Sequence, residues 1–382
     1  MMRNVLLSVL AIVLLVTQSV AGDAGNRKPI VLGQSCALSG PAKNLGVEMR
    51  AGLLAAFSHV NEKGGVHGRE ITLLSRDDGY EPDKAIKNTH SLIYDDQVFA
   101  LIGAVGTPTS KAVASIVNEA KIPFFAPFTG AEFLREPFRK YVINVRASYF
   151  QEMEALASFL IDQKKLSRIS CFYQNDSYGF AGLKGIEIAL AKRGMELVSK
   201  GRYERNTVAV MGGVRDIYKG KPEAVVLVGA YSACAEFIKL SKNKTPSNVI
   251  YCNISFVGTE SLQEALGGYG EGVVVSQVVP SPYDLTSPLI REFVQVMGKY
   301  QHDSSISYTS LEGYIAGRLF AEIGMAVKGE LTREKFIKVM ETQGVLDLGG
   351  VVLRFGAGDH QGMDTIYLTK IYPVIRYIYE GN

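Results

Sequence analysis

Residues 101–130 read as strand, tight turn, helix, strand, tight turn. That alternation restricts the chain to a parallel sheet with helices on its faces. The first turn, Gly103-Ala104-Val105-Gly106-Thr107-Pro108-Thr109, feeds the helix. The second, Ala126-Pro127-Phe128-Thr129-Gly130, follows a short apolar run. Both turns fall at the carboxyl ends of strands, where open α/β sheets hold their ligands. They offer hydroxyls and backbone N–H groups but no acid, base or nucleophile. Such a site is suited to holding a small molecule rather than transforming it.

The same alternation runs through most of the chain. Strands are expected at 29–36, 69–76, 99–102, 123–126 and 141–145, with helices at 45–60, 83–94 and up to about 120. A second cycle follows: helix 152–163, strand 168–173, helix 178–193, then strands at 196–200, 224–228, 249–252 and 272–278, with helices between. Two α/β halves therefore stand in tandem. After the breaker Pro280-Ser281-Pro282 the pattern becomes three helices, 288–300, 311–327 and 333–341, then two strand-like runs, 350–355 and 365–372. Helices without a sheet of their own are expected to return to the first half. The chain would then cross between halves more than once, which is how a hinge is built.

The first residues belong to a different category. Arg3, the apolar run 5–16 and the small-residue site Ser19-Val20-Ala21 read as a cleaved secretory signal, with the mature chain starting at Gly22. The run is too short to cross a bilayer. About 360 mature residues exceed what one core usually serves, so two domains are expected. A formal charge of +3, without a basic stripe, gives no footing for nucleic acid. Cys36, Cys171, Cys234 and Cys252 fit no zinc spacing, and three of them lie in strand-like runs, so they read as buried thiols. The five histidines are scattered singly, and no metal site is expected. No Gly-x-Gly-x-x-Gly follows the first strand, and there is no Walker loop, Gly-x-Ser-x-Gly elbow or His-Glu-x-x-His, so neither a cofactor nor an enzyme is expected.

Four motifs in order carry a resemblance: Leu38-Ser39-Gly40-Pro41 after the first strand, Asp77-Asp78-Gly79-Tyr80-Glu81-Pro82 after the second, Ile102-Gly103 with its Thr/Ser-rich turn, and Asp176-Ser177-Tyr178-Gly179 opening the second half. Together they resemble the type I periplasmic solute-binding proteins, of the leucine/isoleucine/valine-binding branch that serves ABC transporters. The resemblance implies two Rossmann-like lobes joined by a three-crossing hinge, residues 22–145 plus 280–355 in one and 146–279 plus 356–382 in the other. It implies a monomer in the periplasm that clamps an amino acid or related small carboxylate and docks on an ABC permease in the inner membrane. A sensor subunit for a receptor kinase or chemoreceptor is the alternative.

By position, the resemblance gives Thr107 and the Thr109 N–H the ligand carboxylate, and the backbone of Phe128 and Gly130 its polar end. Thr107-Pro108 also reads as a helix cap followed by a first-turn proline, which leaves free N–H groups facing an anion. Tyr178 and Tyr231 are implied as walls of the second lobe and Leu45 as a side-chain contact. Arg146, at the first crossing, either meets the ligand or forms a hinge ion pair. Two departures matter. Amino-acid binders of this family place an acid after the fourth strand of the second lobe, where this chain has Tyr251-Cys252-Asn253-Ile254-Ser255-Phe256. An α-ammonium would lack its partner there unless Asp176 or Glu236 replaces it. The disulfide some members use corresponds to Tyr80 and Gly106, which leaves Tyr80 free to point into the cleft.

Overall fold

The computed structural model describes residues 27–244, 248–372 and 376–381. The expected signal segment, 1–21, lies outside the described residues. Strand β1 (Ile30–Cys36) is almost wholly buried and sits between β2 (Ile71–Asp77) and β3 (Ala100–Ile102). β4 (Phe124–Phe125) and β5 (Val142–Ile143) complete a five-stranded sheet in the order β2-β1-β3-β4-β5, parallel throughout. Its helices are α1 (Lys43–Glu62), α2 (Pro82–His90) and α3 (Thr107–Glu119). The apolar run of β1 is that of a central parallel strand covered on both faces, whereas β2 is mostly only partly buried and lies at the edge.

The second sheet has the order β14-β13-β10-β9-β8-β6-β7. β6 (Ile169–Gln174), β7 (Ser199–Tyr203), β8 (Ala224–Val228), β9 (Ile250–Asn253) and β10 (Val274–Gln277) are parallel. β13 (Ile366–Lys370) and β14 (Arg376–Gly381) add antiparallel strands at one edge. The helices are α4 (Tyr149–Ala157), α5 (Ser177–Ala191), α6 (Met211–Lys219), α7 (Tyr231–Lys244) and α8 (Thr259–Leu266). Cys171 and Cys252 both stand opposite Val226, one on either side of β8. Two strand spacings, about 9.6 Å, are beyond disulfide reach. All four cysteines are buried and free.

Three helices follow β10: α9 (Pro288–Tyr300), α10 (Tyr308–Ala326) and α11 (Arg333–Gln343). α9 and α10 pack on α1. The α1–α10 contact is close because glycines line it. A Cβ on Gly52 would sit 1.9 Å from the Ser310 carbonyl oxygen, and one on Gly313 2.3 Å from that of Met49. The chain passes between the two sheets at 144–148, at 278–287 and at 355–365. A bridge between Asn144 and Gln361 ties the first pass to the third.

Three local expectations shift. The strand expected at 196–200 lies three residues later, at Ser199–Tyr203. The helix expected from 152 starts at Tyr149, because Ser148 and Gln151 form a reciprocal capping box. The strand-like run expected at 350–355 contains β12 (Val352–Arg354), which pairs in a small hairpin with β11 (Val345–Asp347); β11 and the edge strand β14 were not expected.

Candidate functional site

The carboxyl ends of β1–β4 face those of β6–β9, and the loops leaving them meet. Tyr80 stands in the turn after β2 at φ 63°, a left-handed conformation that is costly for a bulky residue. The turn is built to hold it. Asp77 Oδ1 accepts from the N–H groups of Leu38, Ser39 and Gly79, and Asp78 Oδ1 accepts from the Tyr80 N–H at 2.8 Å. Burial pushes the Asp78 carboxyl up to about 6 against the pull of its hydrogen bonds. The Tyr80 ring lies on Gly106, where an added Cβ would meet it at 2.2 Å. The two positions implied for a disulfide are therefore in contact, as ring on glycine.

Gly106, at φ 113°, caps α3. The capping role expected of Thr107 is thus corrected: Thr107 opens the helix and its side chain caps nothing. Its hydroxyl shares a 2.7 Å hydrogen bond with Thr129 and a 3.3 Å one with the Tyr149 hydroxyl. Thr109 donates to the carbonyls of Val105 and Gly106. The first N–H groups of α3 have no intrahelical partner and face outward from its start. The Phe128 backbone is engaged instead with the first turn: its N–H donates to Ala104 and its carbonyl accepts from Gly106. The Gly130 carbonyl accepts from the Tyr149 N–H, and a Cβ on Gly130 would strike the Tyr149 ring at 2.6 Å.

The centre is an aromatic box contributed by both lobes. Tyr178 lies 4.5 Å from Phe256 and 5.6 Å from Tyr149, centroid to centroid. Phe256 is 5.5 Å from Phe128 and 6.0 Å from Tyr80. All five rings are buried. The Tyr178 hydroxyl is buried without a hydrogen-bond partner. Burial raises the pKa of the Tyr80, Tyr149 and Tyr178 hydroxyls, so they stay neutral.

Arg146 joins this box from the first crossing. Its guanidinium lies 4.3 Å above the Phe128 ring and forms two 2.9 Å hydrogen bonds with Glu312. Burial opposes its charge, but Glu312 and Glu152 outweigh burial and its pKa rises. It is a buried ion pair at the first crossing, with Nη1 still unpartnered. Glu152, on α4, is the buried acid that the loop after β9 lacks. It accepts from the Ser255 N–H at 2.7 Å, the Ser255 hydroxyl at 3.0 Å and the Ser276 hydroxyl at 2.5 Å. Burial raises its pKa, with Arg146 and those donors opposing.

The remaining expected residues lie around the box. Leu45, on α1, packs where a Cβ on Gly258 would meet it at 2.5 Å. Tyr231 opens α7 and is only half-buried, beside the contacts from Ser232 to Pro41 and from Asn44 to Ser261. Its place is the rim. Asn253 is buried at the end of β9 with both side-chain polar atoms unpartnered. Strand alternation sets it on the face of Tyr251, away from Cys252 and Ile254. Neither candidate replacement acid is available at the box: one is engaged and the other is set back along its helix. Asp176 caps α5 with Oδ1 and accepts from Gln174 and Arg205 with Oδ2. Glu236 lies about 7.5 Å along α7 from its cleft end.

Sequence reading missed Tyr149, Thr129, Phe256 and Glu152. The capping signature Ser148-Tyr149-Phe150-Gln151 was the available signal for Tyr149. A cavity of about 810 Å³ opens on the far side of the crossings, lined by residues such as Glu132, Arg135, Phe138 and Gln361. None of the expected site residues lines it.

The sequence model of the family described as periplasmic binding protein matches residues 29–372. A Leu/Ile/Val-binding protein homolog of Brucella suis is 26% identical, over 83% of this chain and 82% of its own. The crystal structure of a possible leucine/isoleucine/valine-binding protein from Rhodopirellula baltica superposes with a TM-score of 0.89 at 36% identity, covering 94% of this chain and 98% of that one. A solute-binding protein from R. palustris, solved with benzoate, shares the fold at 20% identity and a TM-score of 0.82, over 92% and 96% of the two chains. The chain belongs to the periplasmic binding protein family.

Proposed function

We propose that this protein is the periplasmic substrate-binding component of an ABC uptake system. It closes two lobes on a small carboxylate and presents the closed form to a permease. The lobes are 22–145 with 280–355, and 146–279 with 356–382, after removal of the signal segment 1–21. The observation that carries the reading is the aromatic box, built from Tyr80 and Phe128 on one side and Tyr149, Tyr178 and Phe256 on the other, at the start of α3. Rings supply apolar walls, and the helix start with Thr107 supplies N–H and O–H donors for an anion. The site gathers no nucleophile beside a base, which favours holding over catalysis.

The ligand class follows from charge. A buried α-ammonium needs a carboxylate. Around the box, Asp176 has both oxygens engaged, and Glu152 is held by Ser255 and Ser276 beside Arg146. This favours an acid without an α-amino group, such as the benzoate held by the R. palustris protein, over the amino acids named for the Brucella relative.

A thermal-shift panel of branched-chain and aromatic amino acids beside their deaminated acids tests this. A ligand far above its dissociation constant stabilises the protein by a few kcal/mol, about 2.7 at a hundredfold excess. The expected result is a shift with the deaminated or aromatic acids. Shifts with the amino acids alone would assign the α-ammonium a partner and overturn the ligand class. No shift with any acid would overturn the carboxylate reading.

A further inference from the structure

Outside the aromatic box, a second set of contacts bridges the lobes, and it is rich in acids. Glu48 lies on α1 of the first lobe, and Glu260 lies in the first turn of α8 of the second. Glu48 Oε1 accepts from the Ser261 hydroxyl at 3.1 Å, and Oε2 accepts from the Ser307 hydroxyl at 2.7 Å. Glu260 accepts from the Tyr308 N–H at 3.3 Å and from the Tyr283 hydroxyl at 3.0 Å. Each carboxylate thus bonds one member of the pair Ser307–Tyr308, and Glu48 also bonds the neighbour of Glu260. Two carboxylates from opposite lobes share one small network. Glu264 on α8 and Tyr231 on α7 face it as well. Among the described residues, no Lys, Arg or His lies within salt-bridge distance of Glu48 or Glu260. Their partners are hydroxyls and the N-terminal N–H of α10.

We propose that lobe closure takes up one proton from solvent, held within the Glu48–Glu260 pair, so that the closed form gains on the open form as pH falls. The proposal rests on the reading that the lobes open and close. Two carboxylates brought together without a cation cannot both stay ionised cheaply. They titrate as a pair rather than singly. Burial, then the Glu48 charge, pushes the Glu260 carboxyl up to about 8. Burial also raises Glu48, opposed by the hydroxyls of Ser307 and Ser261.

The sign is fixed by these raised values. Apart and in water, the two carboxylates titrate near the ordinary value of about 4.3. The advantage of the closed form is full below that value. It shrinks by up to about tenfold per pH unit between roughly pH 5 and 8, and above that it is gone. Asp78 also titrates in this window, at about 6, but its side-chain hydrogen bonds, to Ser35 and the Tyr80 N–H, stay within the first lobe.

The test needs no ligand. All four native cysteines are buried, so spin labels can be directed to Lys87→Cys on α2 and Val208→Cys beyond β7, both exposed and on opposite lobes. Pulsed EPR distances would be measured on the mature protein at pH 5.5, 7 and 8.5. Arg205→Ala serves as the opening control, because Arg205 donates to Glu81 across the lobes at 2.7 Å. The expected result is a short-distance population that falls as pH rises, with the dependence abolished in Glu260→Gln and in Glu48→Gln. If Arg205→Ala lengthens the distances but pH does not, the proton coupling is overturned and the hinge stands. If neither changes them, the hinge reading itself falls. If the pH dependence persists in both Gln variants, another group is responsible and the proposal is overturned.

Discussion

Arg146 shows how one residue can organise the boundary between two lobes. It is 1% exposed and bonded twice to Glu312, with its guanidinium over the Phe128 ring. A buried ion pair adds little net stability, yet breaking it by removing one partner is costly. Arg146→Met is therefore expected to destabilise the protein by about 3–5 kcal/mol, because Glu312 stays buried without its cation. Arg146→Met with Glu312→Leu should recover most of that loss. Urea denaturation of the two single variants and the double variant checks this. A double variant as unstable as Arg146→Met would show that the cost is packing over Phe128 rather than stranded charge. Both outcomes of the sequence reading, ligand contact or ion pair, were open, because Glu312 lies 166 positions away and its approach depends on where α10 packs.

At the scale of elements, the start of α3 carries the most consequence. Gly106 takes the cap position at positive φ, which glycine adopts without strain. Thr107 is then released from capping and turns to Thr129 and Tyr149. Thr107→Ala should weaken binding of the acid found in the thermal-shift panel by roughly 1–3 kcal/mol, the cost of an unmade charged hydrogen bond. Titration calorimetry reads it, and an unchanged affinity would remove this turn from the site. Long periodic elements such as α1, α5 and α9 were legible, and so were the buried strands β1 and β8. The misplaced strand β7, Ser199–Tyr203, is a polar edge whose alternation was too weak to fix its register. Tyr149 escaped notice because the helix was started at Glu152 rather than at its capping box.

At the scale of the molecule, the order of strands and helices announced two α/β halves, and the motifs after β1, β2, β3 and β6 pointed to the family. What they could not give is which side chains meet across the lobes. Phe256 and Tyr80 are 176 positions apart in sequence and meet only where the loops of the two lobes face one another. The same holds for the strap between Arg205 or Asn206 and Glu81. The space between the lobes is filled by rings, while the cavity of about 810 Å³ lies behind the crossings.

The central claim is that a small carboxylate is held at the front, between the lobes. A crystal structure with the acid that gives the largest thermal shift tests it most directly. The account predicts the carboxylate at the start of α3, beside Thr107 and Tyr149, with the rest of the molecule against Tyr178 and Phe256. An acid seated in the rear cavity, with the aromatic box unchanged, would contradict it.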